Sequence, residues 1–142
     1  MSTLRPGVFA VATALASAAA FADQSAGLPR EQVQGSVRFI SGGIGKDEAA
    51  AMHRAMKRYP LSLEFVAKAR NRDEFLAEVP VTIKDRQGHA VLKTVSAGPF
   101  LLVNVHPGKY VVTAEQRGKT EKRTAEVQLK GGEHMVFEWN AA

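Results

Sequence analysis

Three of the four histidines lie in or beside predicted turns, where an imidazole ring is free to bind a metal ion. His89 follows an Asp-Arg-Gln-Gly turn, His106 precedes a Pro-Gly pair, and His134 follows a Gly-Gly pair. Successive turns of an antiparallel sandwich alternate between its two ends, so counting strand reversals from Val79 places all three at one end. Because imidazole is the commonest side-chain ligand for zinc and copper, the pattern predicts a weak metal or anion site there. Solvated turn histidines are the alternative.

A glycine-rich segment at residues 41–47 lies between a predicted strand and a predicted helix, which is the setting of phosphate-binding loops. It departs from the P-loop pattern because Ile40 occupies the first glycine position and Asp47 replaces the Ser or Thr that binds magnesium. Two interpretations remain, a structural turn and an anion site made by exposed backbone amides at the helix start. The residues of that candidate anion site are Gly43, Gly45 and Lys46.

Basic side chains form one face toward the end of the predicted helix, at His53, Arg54, Lys57 and Arg58. They could contact anionic lipid headgroups or an anionic envelope polymer. Positive charge near a helix C-terminus is also favoured by the macrodipole, so a solvated basic face is the alternative. These residues therefore predict at most weak contact with a membrane surface.

The motifs of common hydrolases are absent from the sequence. None of the four histidines has a glutamate at the spacing of a zinc peptidase, no Gly-x-Ser-x-Gly elbow occurs, and the chain has no cysteine nucleophile. We therefore expect a protein that is not an enzyme and needs no cofactor.

The first 22 residues have the three regions of a secretory signal peptide. These are the positive charge of Arg5, an apolar run from Val8 to Ala20, and a small-residue exit that ends at Ala22. The run is about 13 to 15 residues long, whereas a membrane-spanning helix needs roughly 20. The sequence predicts cleavage after Ala22, no transmembrane segment, and a periplasmic location, with secretion as the alternative.

The remaining chain is expected to form one domain. Residues 23–36 are polar and lack an apolar period, which predicts a flexible lead-in, and the domain itself is expected over 37–142. Apolar residues at helical spacing predict one helix over about 46–58, which Pro60 should end. The acidic first turn and basic last turns of this segment agree with a helix macrodipole.

Beyond Pro60 the apolar residues alternate with a period of two, which is typical of half-buried strands. With a short strand candidate at residues 37–40 they make about seven strands, separated by turns roughly ten residues apart, which predict a mainly β chain that forms a single antiparallel β-sandwich. The short helix precedes the main strands. At Pro107-Gly108 we expect a type II turn with a positive φ angle at Gly108 and Tyr110 packed inward. The alternating Phe137 and Trp139 are expected in the core.

The charge of the chain bears on its class of partner, and its cysteine content bears on what stabilises the domain. The net charge is +5, about +4 without Arg5, and 23% of residues are charged, which falls short of the dense basic face that nucleic-acid binding needs. We expect no nucleic-acid partner. Without cysteine the domain has no disulfides, so its apolar core must stabilise it alone.

Three segments between Val79 and Leu129 resemble the carboxypeptidase regulatory-like family. They are VTIKDRQG (residues 81–88), GPFLLVNV (98–105) and HPGKYVV (106–112). The sequence departs from the family pattern at His106, where proline is common, and in the helix that precedes the sandwich. The resemblance implies the transthyretin-like (prealbumin-like) β-sandwich and an accessory, non-enzymatic role in folding support, surface binding or spacing.

Together these observations lead to one expected function and two alternatives. The chain is expected to be a periplasmic accessory or binding module that acts by surface contact with an envelope protein or polymer. The first alternative is an envelope metal-ion or small-ligand binding protein. The second is an enzyme whose motifs are not recognisable in the sequence.

Overall fold

The computed structural model describes residues 27–140, so the expected signal peptide and the start of the lead-in lie outside it. In this part of the chain ten strands and one α-helix follow one another. The helix α1 spans Lys46–Ala55 and continues as a 3₁₀ turn over Met56–Arg58. The strands are β1 (Gln32–Gln34), β2 (Val37–Gly42), β3 (Leu61–Lys68), β4 (Asp73–Phe75), β5 (Val79–Lys84), β6 (Ala90–Ser96), β7 (Phe100–Asn104), β8 (Gly108–Gln116), β9 (Lys119–Val127) and β10 (Glu133–Asn140).

The strands form two sheets, which confirms the mainly β prediction. Sheet A has the order β1-β2-β7-β3-β10, with β4 also paired to β3, and sheet B has the order β6-β5-β8-β9. Three of the ten strands, β1, β4 and β6, add to the seven expected. No helix in residues 27–140 has the length and apolar character needed to cross a membrane.

The main core lies between the inner faces of the two sheets. Its residues come from alternate positions of the strands, as the period of two predicts. Sheet A contributes Leu61, Leu63 and Phe65 from β3. Phe137 and Trp139 are buried there too and pack on Phe65 with ring centroids 5.8 and 6.4 Å away. Their predicted place in the core is confirmed.

A second, smaller apolar cluster lies on the outer face of sheet A, the face turned away from sheet B. There α1 buries Met52 and Ala55 against Ile40, Phe100 and Leu102. Strands β2 and β3 both pair antiparallel with β7, so they run parallel to each other and α1 is the crossover that joins them. The predicted helix is therefore confirmed, and it forms a third layer on the sandwich.

The pairing of β10 corrects the expectation of a wholly antiparallel sandwich. β10 pairs with β3 in parallel over eight residues, from Glu133 opposite Leu61 to Asn140 opposite Lys68. This direction follows from the crossover. Because α1 carries the chain back along sheet A, β3 begins at the same end of the sheet as β10, and the two strands run in the same direction. Strand alternation in the sequence is the same for either direction, so it could not reveal this pairing.

Side chains close the gaps between the edges of the two sheets. The Gln34 side chain both accepts from the backbone N–H of Lys93 (2.9 Å) and donates to its carbonyl (3.1 Å), which joins β1 to β6. On the opposite side Arg123 donates to the Val136 carbonyl, and Trp139 donates to the Lys119 carbonyl at 3.1 Å. These bonds satisfy edge groups that would otherwise be open to other strands.

The turn before Tyr110 differs in part from the prediction. Gly108 has φ +155°, which is positive but far from the +80° or so of a type II turn, and it already begins β8. Tyr110 packs inward as expected and is 8% exposed. Its hydroxyl donates to the His106 carbonyl at 2.7 Å, which fixes the corner between β7 and β8.

Candidate functional site

A pocket of about 290 Å³ opens on the outer face of sheet A beside α1. We call it the Phe75 pocket. Its lining consists of small residues from the start of α1 and the loop before it, three rings and one carboxylate. The lining residues are Gly43, Ala49, Ala50, His53, Glu64, Phe75 and Phe100.

Phe75 lies on the short strand β4, which places a large apolar side chain at the surface. β4 pairs with β3 so that Phe75 is opposite Val66, and the next residue, Leu76, donates its backbone N–H to the Phe65 carbonyl at 3.2 Å. The Phe75 ring is stacked on Phe100, with centroids 6.4 Å apart and planes 29° apart. Even so, Phe75 remains 64% exposed.

Glu64 and His53 complete the walls of the Phe75 pocket. Glu64 is half-buried and lies directly opposite Phe100 in the β3–β7 register, so the two side chains share the outer face. The His53 ring lies 5.9 Å from the Phe100 ring, centroid to centroid. Within residues 27–140 the pairs of basic and acidic side chains closer than 4 Å are Lys68–Glu138 and His89–Asp85, and neither involves Glu64.

Two glycines, one of them in the pocket lining, allow close approach of the chain near the Phe75 pocket. A Cβ atom at Gly43, whose φ is +102°, would lie 2.4 Å from the Phe100 ring. A Cβ at Gly98 would lie 2.5 Å from the backbone carbonyl group of Gly42. Only glycine fits at these positions without displacing Phe100 or the end of β2.

The glycine-rich segment already holds a carboxylate of the chain itself. The backbone N–H of Gly43 donates to Oε1 of Glu48 at 2.7 Å, and Gly43 is buried. Gly45 caps α1 with φ +88°, and Lys46 is exposed. The structure thus places Gly43, Gly45 and Lys46 around a structural turn, in which the Glu48 carboxylate occupies the position expected for an anion.

A second pocket, of about 430 Å³, lies at the end of the sandwich where α1 ends and β3 begins. We call it the end pocket. It brings together Lys57 and Arg58 with His106, which the sequence suggested as separate candidates. Arg54 is exposed but does not line it. The lining residues are Lys57, Arg58, Tyr59, Pro60, Asn104, Val105, His106, Pro107, Gln128, Leu129, Gly131 and Gly132.

Tyr59 is the titratable group in the wall of the end pocket whose pKa is clearly perturbed. Burial, followed by the hydrogen bond it donates to Glu31 at 3.0 Å, raises the pKa of Tyr59 to about 12. The hydroxyl therefore stays neutral at ordinary pH. This contact joins the lead-in to the residue that follows the 3₁₀ turn and places the Glu31 carboxylate beside the pocket wall.

The three candidate metal ligands share one end of the sandwich but have separate neighbours. His106 lines the end pocket, His89 lies 3.7 Å from the Asp85 carboxylate, and Nδ1 of His134 lies 3.3 Å from the Ser62 hydroxyl. Across residues 27–140, no three His, Cys, Asp or Glu side chains are grouped so that they could hold one metal ion. The structure does not bring His89, His106 and His134 together as ligands.

The sequence analysis did not single out the Phe75 pocket. Phe75 is the one aromatic residue in the segment 69–78, which is rich in charged residues and has no apolar period. An isolated aromatic residue in such a segment is the one signal available there, and its partners Glu64 and Phe100 become visible only through the strand register. The arrangement has the chemistry of a binding surface: exposed ring faces, a concave wall and one carboxylate.

Comparison with known proteins gives no family for the chain. No protein-family model matches it, and no curated protein matches it.

Proposed function

We propose that the chain is an exported accessory module of the bacterial cell envelope, without catalytic activity, that binds a protein partner through the outer face of sheet A. The single observation that carries this proposal is Phe75, which is held against Phe100 and yet 64% exposed beside a concave pocket. Aromatic residues, including phenylalanine, are enriched at protein interfaces, and the residues that contribute most to binding cluster in well-packed pockets.

The energy available from Phe75 is large enough to matter. A phenylalanine presents roughly 200 Å² of surface, so about 130 Å² remains to be buried at this exposure. At about 25 cal/mol per Å² that burial contributes up to about 3 kcal/mol to association. Because the ring is already stacked on Phe100, it loses little conformational freedom on binding.

The cellular location rests on the leader sequence, and the accessory role rests on the family resemblance. Residues 1–22 read as a signal peptide, which places the mature domain in the periplasm or outside the cell. The resemblance of residues 79–129 to carboxypeptidase regulatory-like domains supports a binding or spacing role. The two-sheet architecture agrees with that resemblance but is common to many families.

A second candidate function is the binding of a small anion in the end pocket. The observation that favours it is the convergence of Lys57, Arg58 and His106 on a lining that contains no Asp or Glu. Asparagine and glutamine amides and glycine N–H groups in the same lining are further donors. Phosphate titration of the mature protein, beside a Lys57→Ala variant, distinguishes this candidate from the first.

Site-directed photo-cross-linking in the living cell tests the main proposal. A photoreactive phenylalanine analogue at position 75 keeps an aromatic ring at the site, and the same analogue replacing Val95, which is 50% exposed on β6, is the matched control. We expect one defined protein adduct from position 75 that is absent from position 95. Equal or no adducts at both positions would contradict the proposal.

A further inference from the structure

The charge of the Phe75 pocket is opposite in sign to that of the whole chain. The chain has a net charge of +5, but the lining of this pocket contains the carboxylate of Glu64 and the imidazole of His53 and no Lys or Arg. A second carboxylate, that of Glu48, lies just behind the wall, since it accepts the N–H of Gly43 at 2.7 Å. A ligand that enters the pocket therefore meets a local negative potential.

The rings of the pocket add a second attraction for positive charge. The faces of phenylalanine rings carry negative partial charge and attract ammonium or guanidinium groups within about 6 Å of the ring centroid. Phe75 and Phe100 are stacked with an offset, and Phe75 is largely exposed, so part of its ring surface is open to a ligand. Glu64, directly across the register from Phe100, can then accept a hydrogen bond from the same cation.

The size of the pocket limits the ligand. At about 290 Å³ it lies just below the range of about 300–1,000 Å³ that holds drug-sized ligands. Such a volume suits one long side chain. Small residues at Ala49 and Ala50 leave room along the wall for the apolar stem of that side chain.

From these features we infer that the Phe75 pocket receives a lysine or arginine side chain of the protein partner, with its stem along α1 and its cationic head between Glu64 and the aromatic rings. This inference rests on the proposed function. It adds the chemical identity of the group that the partner must present.

The test compares two probes that differ in charge alone as closely as chemistry allows. Doubly blocked lysine and doubly blocked norleucine are titrated into the ¹⁵N-labelled mature protein, and amide shifts are followed by NMR. We expect the lysine probe to shift the amides of the pocket lining and to bind at least about fivefold more tightly than norleucine.

Two variants show whether the pocket is responsible. Glu64→Gln keeps the shape and removes the charge, and should weaken lysine binding by about fivefold. Glu126→Gln, which removes an exposed carboxylate on β9 of sheet B, is the matched control and should change nothing. Thermal melting of both variants verifies that they are folded.

The outcomes separate this inference from the proposed function. Equal binding of lysine and norleucine, or no effect of Glu64→Gln, would overturn the cationic side chain while leaving Phe75 as a contact. Shifts confined to residues outside the pocket would overturn it as well. Loss of the cross-link at position 75 in cells, in contrast, would overturn the proposed function itself.

Discussion

Replacement of Gly98 by alanine should destabilise the sandwich at the point where β2 and β7 meet the Phe75 pocket. The new Cβ would lie 2.5 Å from both the carbonyl carbon and the oxygen of Gly42, and 2.9 Å from its Cα. Ordinary contacts between such atoms are about 3.5 Å or longer, so the backbone would have to move by roughly 1 Å. Both sides of the contact are backbone, and neither can turn away.

The expected loss can be worked out from this geometry. Overpacking costs about 1–3 kcal/mol, with a clash against backbone atoms at the upper end of that range, and the lower entropy of the unfolded alanine chain returns at most about 1 kcal/mol. We expect a net loss of about 2 kcal/mol and a decrease in Tm of about 8 °C, at roughly 4 °C for each kcal/mol. Movement of Gly42 also disturbs Phe100, its partner in the β2–β7 register.

Urea denaturation and thermal melting measure this effect, and Gly118→Ala is the matched control. Gly118 has φ +77° but nothing within 4 Å of the position of a Cβ, so only the backbone conformation resists alanine there. That variant should lose about 1 kcal/mol. If Gly98→Ala is as stable as Gly118→Ala or as the unchanged protein, the Cβ at position 98 does not clash with Gly42 as predicted.

Three further predictions concern the tyrosines and the leader. Tyr110→Phe removes the 2.7 Å bond to the His106 carbonyl and should cost about 1 kcal/mol in urea denaturation; no loss would show that the bond is not stabilising. Because the pKa of Tyr59 is raised to about 12, folding keeps it neutral, so its contribution is complete below about pH 10 and is lost as pH rises through 12. In Tyr59→Phe the free energy of unfolding should therefore fall less between pH 10 and pH 12 than in the unchanged protein. The same pH dependence in both proteins would show that burial and the bond to Glu31 do not raise the pKa of Tyr59. Intact-mass measurement of the exported protein should give a start at Asp23, whereas retention of residues 1–22 would exclude cleavage.

Local patterns in the sequence were sufficient for the helix and for most of the core. The helical spacing before Pro60 and the alternation around Phe137 have one physical solution each, because one face must be buried. The direction of β10 could not be predicted from such a pattern, because a strand with alternating apolar residues can pair in either a parallel or an antiparallel direction. Its partner was decided by the crossover through α1, which is a tertiary feature.

The short strands were missed for a different reason. β1 and β4 have three residues each, and all of these residues are exposed, so they carry no apolar alternation. They form because backbone N–H and C=O groups along β2 and β3 need partners. Phe75 lies on β4, and the candidate site was therefore hidden from an analysis of periodicity.

Counting strand reversals predicted part of the arrangement of the three histidines. It placed His89, His106 and His134 at the same end, because each reversal fixes which end a turn occupies. It could not give their positions across that end, which depend on the order of strands within each sheet. Because β7 lies beside β3 in sheet A, His106, which follows β7, lines the end pocket with Lys57 and Arg58 and does not lie with the other two histidines.

If a protein partner covers the Phe75 pocket, the outer face of sheet A should be protected from chemical labelling inside the cell. The chain contains no cysteine, so a single Ala50→Cys variant reports on the Phe75 pocket without altering Phe75, and Val95→Cys reports on sheet B. Rates of maleimide labelling are compared between intact cells, with a reagent that enters the periplasm, and purified protein. We predict that Cys labelling at position 50, but not at position 95, is at least about fivefold slower in cells and that Phe75→Ser restores it. If position 50, like position 95, is labelled at the same rate in cells as in purified protein, no partner covers the Phe75 pocket and the proposed function is wrong.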